Sequence, residues 1–363
     1  MAARRSALTT MARLTMLVKN YWKYGRYGFA ILAILLIPPL LAFTRITLLM
    51  DYLFFPILWN IRVREPVFIM GHPRSGSTFF QKQIYQADRA AMFTTWEMLF
   101  PSLTVRMILR PIITGLKAAG VDILQTNDFG HQIKLDGVEE QEALFLHRLD
   151  SEMLHILCPW LILDDETAND GFRFGWEDMI PSDNSVRLLR EFLKRQIYYI
   201  GHPTVIAKLN PSVFRLQTIL EEFPDARIVY LVRKPEDSIR SFLSFQHKFV
   251  RRLLTPEEQA AYFRHKYKWS LALYRYFEYS KETIPEPQLL TITFTDLIQD
   301  TAGVLHNFFR FTDIAPAPDY WKTLSIRLQK HTKGHTNQPI SEFGLRSQTI
   351  EDDVGFLKTE YDL

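Results

Sequence analysis

A short turn with the sequence HPRSGST, residues 72–78, contains the side chains best suited to chemistry. It follows the apolar run VFIMG and precedes a segment predicted to begin a helix near Ser77. In a strand–turn–helix unit of this kind, backbone N–H groups and the positive end of the helix converge on one point. An anionic phosphate or sulfate group is stabilised at such a point.

The cation that this turn needs is not the usual one. Gly71 and Gly76 have the spacing of a Walker A loop, but Ser77 occupies the position of its lysine. An ordinary nucleotide triphosphatase is therefore disfavoured. Arg74 is the substitute cation, because a guanidinium binds phosphate or sulfate oxygens in a fork, and Thr78 adds a second hydroxyl.

A second group of polar residues follows two further predicted strands. Lys208 ends the β-branched run TVIAK, and Arg233 comes directly after the apolar run ARIVYLV. Ser241 lies eight residues beyond Arg233, in a helix predicted to begin after Pro235. Since ligands bind outside the carboxyl ends of strands in open α/β sheets, these residues are expected at the same edge as the turn.

The elements that must position these residues alternate between strands and helices. VFIMG and ARIVYLV are continuous apolar runs of the type found in buried parallel strands, and Val213 to Phe223 has helical spacing. The pattern predicts a P-loop-like, three-layer α/β/α fold with a mainly parallel central sheet.

Four blocks in this order resemble the superfamily of sulfotransferases that use 3′-phosphoadenosine 5′-phosphosulfate. PRSGST is similar to that family's 5′-phosphosulfate loop, and the spacing from Arg233 to Ser241 is similar to its 3′-phosphate site. Lys208 with Pro211 resembles its K-x-P segment. FTDLIQDTAGVLHNFFRFTDI resembles a late helix of the family, and HTKGHTNQPISEFGL resembles the closing motif of its bacterial members. The resemblance covers roughly residues 66 to 350.

The resemblance implies a role for each matching residue. The 5′-phosphosulfate would be held by the turn, and Lys208 would stabilise charge as it develops on the transferring group. The 3′-phosphate would be held at the second site, over which a late lysine would close. No metal ion is required. The implied donor-binding residues are Arg74, Ser75, Gly76, Ser77, Thr78, Arg233, Ser241 and Lys333.

A general base must lie opposite the turn, and the resemblance favours Glu97 in FTTWEMLFPS. It follows what is predicted to be the next strand, with apolar neighbours that would raise its pKa. The alternative for Glu97 is a charge at a helix amino terminus or an ion-pair partner. Some relatives use histidine, for which His72, His131, His147 and His155 are candidates, and the last two could share a helix face.

Composition restricts the cellular setting. The net charge of +3 hides an uneven distribution, because residues 1–64 contain nine Lys or Arg and one acid, Asp51. This basic end favours contact with membrane lipids over nucleic acid. The single cysteine, Cys158, reads as a buried apolar residue, and no asparagine begins an N-x-Ser/Thr acceptor site. These features favour a reducing, non-glycosylating compartment.

The amino-terminal region, residues 1–64, is predicted to be a basic membrane anchor. It contains an uncharged apolar segment at 27–43, with Pro38 and Pro39 inside it, and a second, interfacial segment at 46–61. The positive flank places the amino terminus in the cytoplasm. A single span would put the catalytic domain outside, whereas two broken halves forming a re-entrant anchor would keep it cytoplasmic, and the second arrangement is preferred.

The remaining regions are a sulfotransferase domain at 65–350 and a tail at 351–363. An aromatic-rich helical insert at about 98–200 is predicted to build the acceptor pocket. Beside a membrane anchor it favours a hydrophobic acceptor, such as a lipid, an isoprenoid alcohol or a glycolipid. A glycan acceptor, a P-loop-type kinase and an inactive nucleotide-binding membrane protein are the alternatives, and self-association into a homo-oligomer is left open.

Overall fold

A computed structural model describes residues 9–120, 134–163, 183–329 and 337–363. Within these ranges a sheet of four parallel strands has the order β2-β1-β3-β4. The strands are β1 (Val67–Gly71), β2 (Ile206–Lys208), β3 (Arg227–Val232) and β4 (Leu289–Thr293). The predicted parallel sheet is confirmed.

The sheet is covered on both faces, because successive side chains of a strand point to opposite sides. On β1, Phe68 and Met70 belong to one buried cluster, while Val67 and Ile69 belong to another. The described α-helices are α1 (Thr10–Lys23), α2 (Tyr27–Phe54), α3 (Ser77–Tyr85), α4 (Thr95–Leu99), α5 (Leu103–Ala118), α6 (Leu154–Leu157), α7 (Asp183–Ile200), α8 (Leu216–Glu222), α9 (Pro235–Val250), α10 (Pro256–Ser280), α11 (Phe294–Gln299), α12 (Thr301–Thr312), α13 (Tyr320–Gln329), α14 (Ser347–Val354) and α15 (Phe356–Tyr361). The predicted three-layer α/β/α arrangement is therefore confirmed.

Two helices adjoining the sheet begin where local chemistry requires. α3 begins after Gly76, and α9 begins with Pro235 at its first position, where a missing N–H costs nothing. Both predicted starts are confirmed. Each helix directs its amino terminus toward the carboxyl edge of the sheet, because each directly follows a strand of that sheet.

The amino-terminal region differs from the predicted pair of apolar halves. α2 continues from Tyr27 to Phe54 with Pro38 and Pro39 inside it. The two prolines weaken the helix locally, because each lacks an N–H donor and crowds the carbonyl of the preceding turn. Buried residues before and after them, Ala33 and Thr44, hold both parts of the helix against the rest of the chain. α2 is long and apolar enough to cross a membrane.

The insert also differs from the helix predicted by the amphipathic pattern of EEQEALFLHRLDSEMLHIL, residues 139–157. Where a long helix was expected, the chain forms a 3-10 helix at Gln141–Arg148, the short α6 and a second 3-10 helix at Pro159–Ile162. Leu149, with a left-handed backbone (φ 52°), ends the first of these. The idea that His147 and His155 share a helix face was therefore wrong.

Candidate active site

The turn between β1 and α3 is held by two glycines that no other residue could replace without displacement. Gly71 has φ 143°, and a Cβ there would lie 2.3 Å from the carbonyl oxygen of Leu231 on β3. Gly76 has φ 93°, and its Cβ would lie 2.8 Å from the ring of Phe294. Between them Arg74 also has a positive φ of 75°. A non-glycine residue in this region costs about 1–3 kcal/mol and tends to mark a functional turn.

Arg74 brings together the two predicted anion sites. Its Nε donates to the Oγ of Ser241 at 3.1 Å, and its carbonyl oxygen accepts from Nη1 of Arg233 at 3.2 Å. Burial lowers the pKa of Arg74, and the nearby Arg233 charge lowers it further. The two guanidiniums therefore repel each other until an anion lies between or beside them.

A second group surrounds Lys208, which is 2% exposed. Register places Lys208 of β2 opposite Ile69 of β1, just before the turn. Its Nζ donates to the Oγ1 of Thr78 at 3.1 Å. Asn210, two residues on, donates from Nδ2 to the Oγ of Ser77 at 2.7 Å. The turn hydroxyls and the lysine thus form one connected polar wall.

Both groups line one cavity of about 890 Å³. Of the predicted residues, the cavity wall includes Arg74, Gly76, Ser77, Thr78, Lys208, Arg233 and Ser241. Ser75 does not line it: its side chain is buried and its N–H donates to the carbonyl of His72 at 3.2 Å. Lys333 lies outside the described residues, as does His131.

Glu97, the predicted general base, does not line this cavity. It was expected after a strand, but the preceding residues form only isolated bridges, and Glu97 is inside α4. Its Oε2 accepts from the N–H of Thr94 at 2.8 Å, completing a capping box, and from Nε2 of Gln196 at 3.0 Å. The strand assignment was wrong, because Thr94 and Glu97 have the spacing of a helix start. Glu97 is 4% exposed and is not among the cavity-lining residues.

The carboxylate that does face Lys208 is Glu140, which the sequence analysis did not single out. Its Oε2 lies 3.6 Å from the Nζ of Lys208 and accepts from Nδ2 of Asn210 at 3.0 Å. Burial raises the pKa of Glu140, and the Lys208 charge opposes that rise. The adjacent acids in DGVEEQE, including Glu139, were the available signal.

Another carboxylate on the cavity wall, Glu152, is already paired with cationic and histidine side chains. It pairs with Lys266 and lies 3.0 Å from Nδ1 of His155. Although burial alone would raise its pKa, the His155 and Lys266 charges lower it overall. A carboxylate held in this way is a weak base, so Glu152 fits the proton acceptor role less well than Glu140.

The histidine candidates are engaged in packing. His72 is fully buried, stacks on Tyr274 and lies 2.9 Å from the Oγ of Ser270 through Nε2. Burial lowers its pKa to about 3. His147 contacts the carbonyl oxygen of Met98 through Nε2 at 2.9 Å. Across the described ranges, no three His, Cys, Asp or Glu residues come together as a metal site.

Comparison with known proteins agrees with this geometry. A model of the sulfotransferase family matches residues 66–319. The chain belongs to the sulfotransferase family. It is a sulfotransferase enzyme, and its α/β fold with a parallel sheet is that of bacterial sulfotransferases of known structure.

Among curated proteins, the chain is similar to omega-hydroxy-beta-dihydromenaquinone-9 sulfotransferase Stf3 of Mycobacterium bovis and of Mycobacterium tuberculosis. Each is 25% identical over 303 residues, which span 77% of this chain and 72% of that protein. Among solved structures, sulfotransferase STF9 from Mycobacterium avium has a TM-score of 0.71 at 15% identity, covering 87% of this chain and 82% of its own. Sulfotransferase STF1 from Mycobacterium tuberculosis has a TM-score of 0.67 at 14% identity, covering 95% and 92%.

Proposed function

We propose that this sulfotransferase transfers a sulfuryl group from 3′-phosphoadenosine 5′-phosphosulfate to a hydroxyl of a hydrophobic, membrane-associated acceptor. One observation carries the donor assignment: Arg74 in the turn is bonded to Ser241 and Arg233, so a single cavity wall offers two anion sites. A donor with a 3′-phosphate and a 5′-phosphosulfate carries two separated anionic groups. A nucleotide with only one anionic end would leave one site unused.

The 5′-phosphosulfate is assigned to the turn. There the hydroxyls of Ser77 and Thr78 and the ammonium group of Lys208 would contact its oxygens. The 3′-phosphate is assigned to Arg233 and Ser241. Lys333 is proposed to join it, as the resemblance implies. Arg74, which adjoins both groups, neutralises charge between them.

In the reaction, the acceptor oxygen forms a bond to sulfur while the bond from sulfur to the phosphate oxygen breaks. The hydroxyl proton passes to a base, and 3′,5′-bisphosphoadenosine leaves. Lys208 is positioned to stabilise negative charge on the departing oxygen, since its ammonium already donates to Thr78 of the turn. Besides the donor and the acceptor, this step needs only protein side chains to accept the proton and stabilise charge.

For the base we favour Glu140 over Glu97. Glu140 lines the cavity beside Lys208, and burial raises its pKa toward the range in which a carboxylate is an effective base. One Glu97 side-chain bond caps the start of α4 and the other joins it to Gln196 in the last part of α7, which favours a structural role.

The acceptor class is inferred from the rest of the cavity wall. Its lining also includes the apolar residues Met153, Ile156, Phe242, Phe245 and Ile298. A lipid or isoprenoid alcohol would place its hydroxyl at Lys208 and its chain along these residues. Similarity to a protein named for a hydroxylated menaquinone supports this class over a glycan.

The same proposal places the catalytic domain on the cytoplasmic side of a membrane. The support is the basic amino-terminal region and the apolar α2.

The experiment is to incubate the full chain with ³⁵S-labelled donor and a polyprenol, a total lipid extract or an oligosaccharide mixture, and to identify labelled products by mass spectrometry. Label in the polyprenol or lipid arm is expected. Label only in the oligosaccharide arm would overturn the acceptor class, and phosphate transfer from labelled ATP would overturn the reaction. Lys208→Met is the inactive control for background transfer.

A further inference from the structure

The apolar helix α2 is packed against the rest of the chain along one side from end to end. Its buried positions are Ala30, Ala33, Thr44, Thr47, Leu48 and Asp51. The partly buried Ile37 and Leu41, which pack against the core, join the two groups into one stripe with steps of three or four residues. From Ala30 to Asp51 this stripe extends for about 30 Å at 1.5 Å per residue. A helix surrounded by lipid would have no such stripe.

The first end of α2 is fixed through α1. Tyr21 of α1 stacks on Phe29 with ring centroids 5.6 Å apart, and its hydroxyl donates to the carbonyl of Leu157 at 3.1 Å. Asn20 donates to the carbonyl of Trp160 at 3.1 Å, and Arg13 forms a 2.8 Å ion pair with Asp150. α1 is therefore attached to the same domain that contains the cavity.

The second end of α2 is fixed by a buried carboxylate. Asp51 is fully buried and accepts from the N–H of Leu103 at 3.0 Å and the Oγ of Ser102 at 2.8 Å. Arg195 of α7 donates to it from Nε at 2.7 Å. Breaking such a pair leaves an uncompensated buried charge, which strongly destabilises a fold. Both ends of α2 are thus tied to one side of one domain, so crossing a bilayer would require one tie to break.

The opposite side of α2 is exposed and apolar. Leu35, Leu36, Leu49 and Leu53 are 61%, 60%, 71% and 75% exposed. α5, which contacts α2, extends this surface with Ile108 and Ile112 at 65% and 57% exposed. Exposed apolar patches of this extent mark interaction surfaces.

The chemistry at the edges of this surface identifies its partner. Trp22 and Trp59, at the two ends of α2, are 60% and 70% exposed, as expected for aromatic side chains at a headgroup boundary. Exposed basic residues lie at the same ends, including Lys19, Arg26, Arg62 and Arg64. Apolar residues between aromatic and basic borders match an anionic bilayer surface.

We infer that α2 and α5 together form one membrane-binding face that lies in the plane of an anionic leaflet, and that α2 does not cross the bilayer. This deepens the membrane association in the proposed function and does not depend on the sulfuryl-transfer step. α1, which packs on α2, contacts Leu157, the residue after the cavity-lining Ile156. This contact is the observed link between the membrane-binding face and the cavity.

The first test is flotation of the purified full chain with vesicles of phosphatidylcholine containing phosphatidylglycerol. The double variant Ile108→Glu/Ile112→Glu should weaken partitioning about tenfold or more, because it replaces two membrane-buried apolar side chains with carboxylates. Ile326→Glu, at an exposed position of α13 away from this face, is the single-charge control and should bind as the parent does. Unchanged flotation of the α5 variant would overturn the two-helix face.

The second test decides whether α2 crosses the bilayer. Cys158 is fully buried, so thiol labelling has a clean background. Two variants, Lys19→Cys and Glu286→Cys, each introduce one cysteine at an exposed position. Each variant is reconstituted in sealed vesicles and treated with a membrane-impermeant maleimide. Labelling of both positions, or of neither, is expected. Labelling of only one would show that α2 spans and would overturn the inference.

A third measurement separates this inference from the proposed function. Calorimetry with 3′,5′-bisphosphoadenosine should give the same affinity for the Ile108→Glu/Ile112→Glu variant and the parent. If the parent bound vesicles but not this nucleotide, the donor assignment would fail while the membrane-binding face stood.

Discussion

Replacing Glu140 by glutamine removes the basic carboxylate while keeping the size of the side chain. The remaining amide oxygen can still accept from the N–H or Nδ2 of Asn210, both now 3.0 Å from the carboxylate. The variant loses one hydrogen bond to a carboxylate and the ion pair with the buried Lys208, so it should lose about 3 kcal/mol of stability. It should fold and bind 3′,5′-bisphosphoadenosine as the parent does.

The catalytic loss, measured on the folded variant, should be large. A general base contributes about 10²–10⁴-fold, so kcat should fall by that factor, equivalent to about 3–5.5 kcal/mol of barrier. The parent should also lose kcat/KM as the pH falls, because only the deprotonated carboxylate accepts a proton. Since burial raises the pKa of Glu140, that loss should begin at a higher pH than for a solvent-exposed glutamate. The Glu140→Gln variant should lack this acidic limb.

The assay is steady-state transfer of ³⁵S to a polyprenol across a pH series, with donor binding measured in parallel. Glu97→Gln is the comparison variant, and it should keep kcat within about threefold while losing about 1 kcal/mol of stability at the cap of α4. If Glu140→Gln kept the parent's kcat and acidic limb while Glu97→Gln lost both, Glu97 would be the base and the reasoning from the cavity would be refuted.

Three further variants test the site and the docked helix. Arg233→Met should weaken binding of 3′,5′-bisphosphoadenosine about 10–100-fold in calorimetry while leaving 5′-adenosine monophosphate unaffected; equal weakening of both would contradict the 3′-phosphate assignment. Gly76→Ala, whose Cβ would meet Phe294 at 2.8 Å, should lower the melting temperature and donor affinity together, and normal affinity would show that the turn can relax. Asp51→Ala should destabilise the chain by about 3–5 kcal/mol in denaturant unfolding, because it strands Arg195. Glu191→Ala, which removes the outer partner of Arg195, should cost less than 1 kcal/mol, and equal costs would refute the argument from burial.

The parts of the site that sequence reasoning predicted are those determined by contiguous residues. β1 and β3 are buried on both faces, so their apolar runs are unbroken and easily read. The turn follows β1 directly, and its glycines are required by backbone geometry alone. Arg233 lies at the same edge because parallel strands place their carboxyl ends together.

The parts that were missed depend on contacts between distant segments. Glu140 reaches Lys208 only because the chain from 134 to 148 folds across β2, and nothing local to either residue indicates this pairing. The capping spacing of Thr94 and Glu97 is visible in the sequence, whereas the sequence analysis named a helix amino terminus only as the alternative for Glu97. A helix-start signal within three residues is the stronger physical indication, because it needs no distant partner.

The amphipathic pattern of the insert misled for a related reason. A polar residue in a periodic pattern is usually assigned to the solvent side of a helix. Here Gln141 and Glu142 are fully buried, and the side chains bond to the N–H of Lys208 and to Arg215. These two residues form buried hydrogen bonds and ion pairs with β2 and the segment after it. Their polar character is therefore explained by those contacts and not by the solvent-facing side of a helix.

The cavity and the membrane-binding face together would bring a water-soluble donor and a membrane-dissolved acceptor to one place. The proposed donor is highly anionic and comes from water, whereas the proposed acceptor is apolar and comes from the bilayer. The cavity lining includes both the cations Arg74, Lys208 and Arg233 and the apolar residues Met153 and Ile156. Transfer converts a neutral hydroxyl into an anionic sulfate ester, which is costly to bury in hydrocarbon. The sulfated acceptor would therefore return to the leaflet with its new anion toward water, at the headgroup level where the membrane-binding face lies.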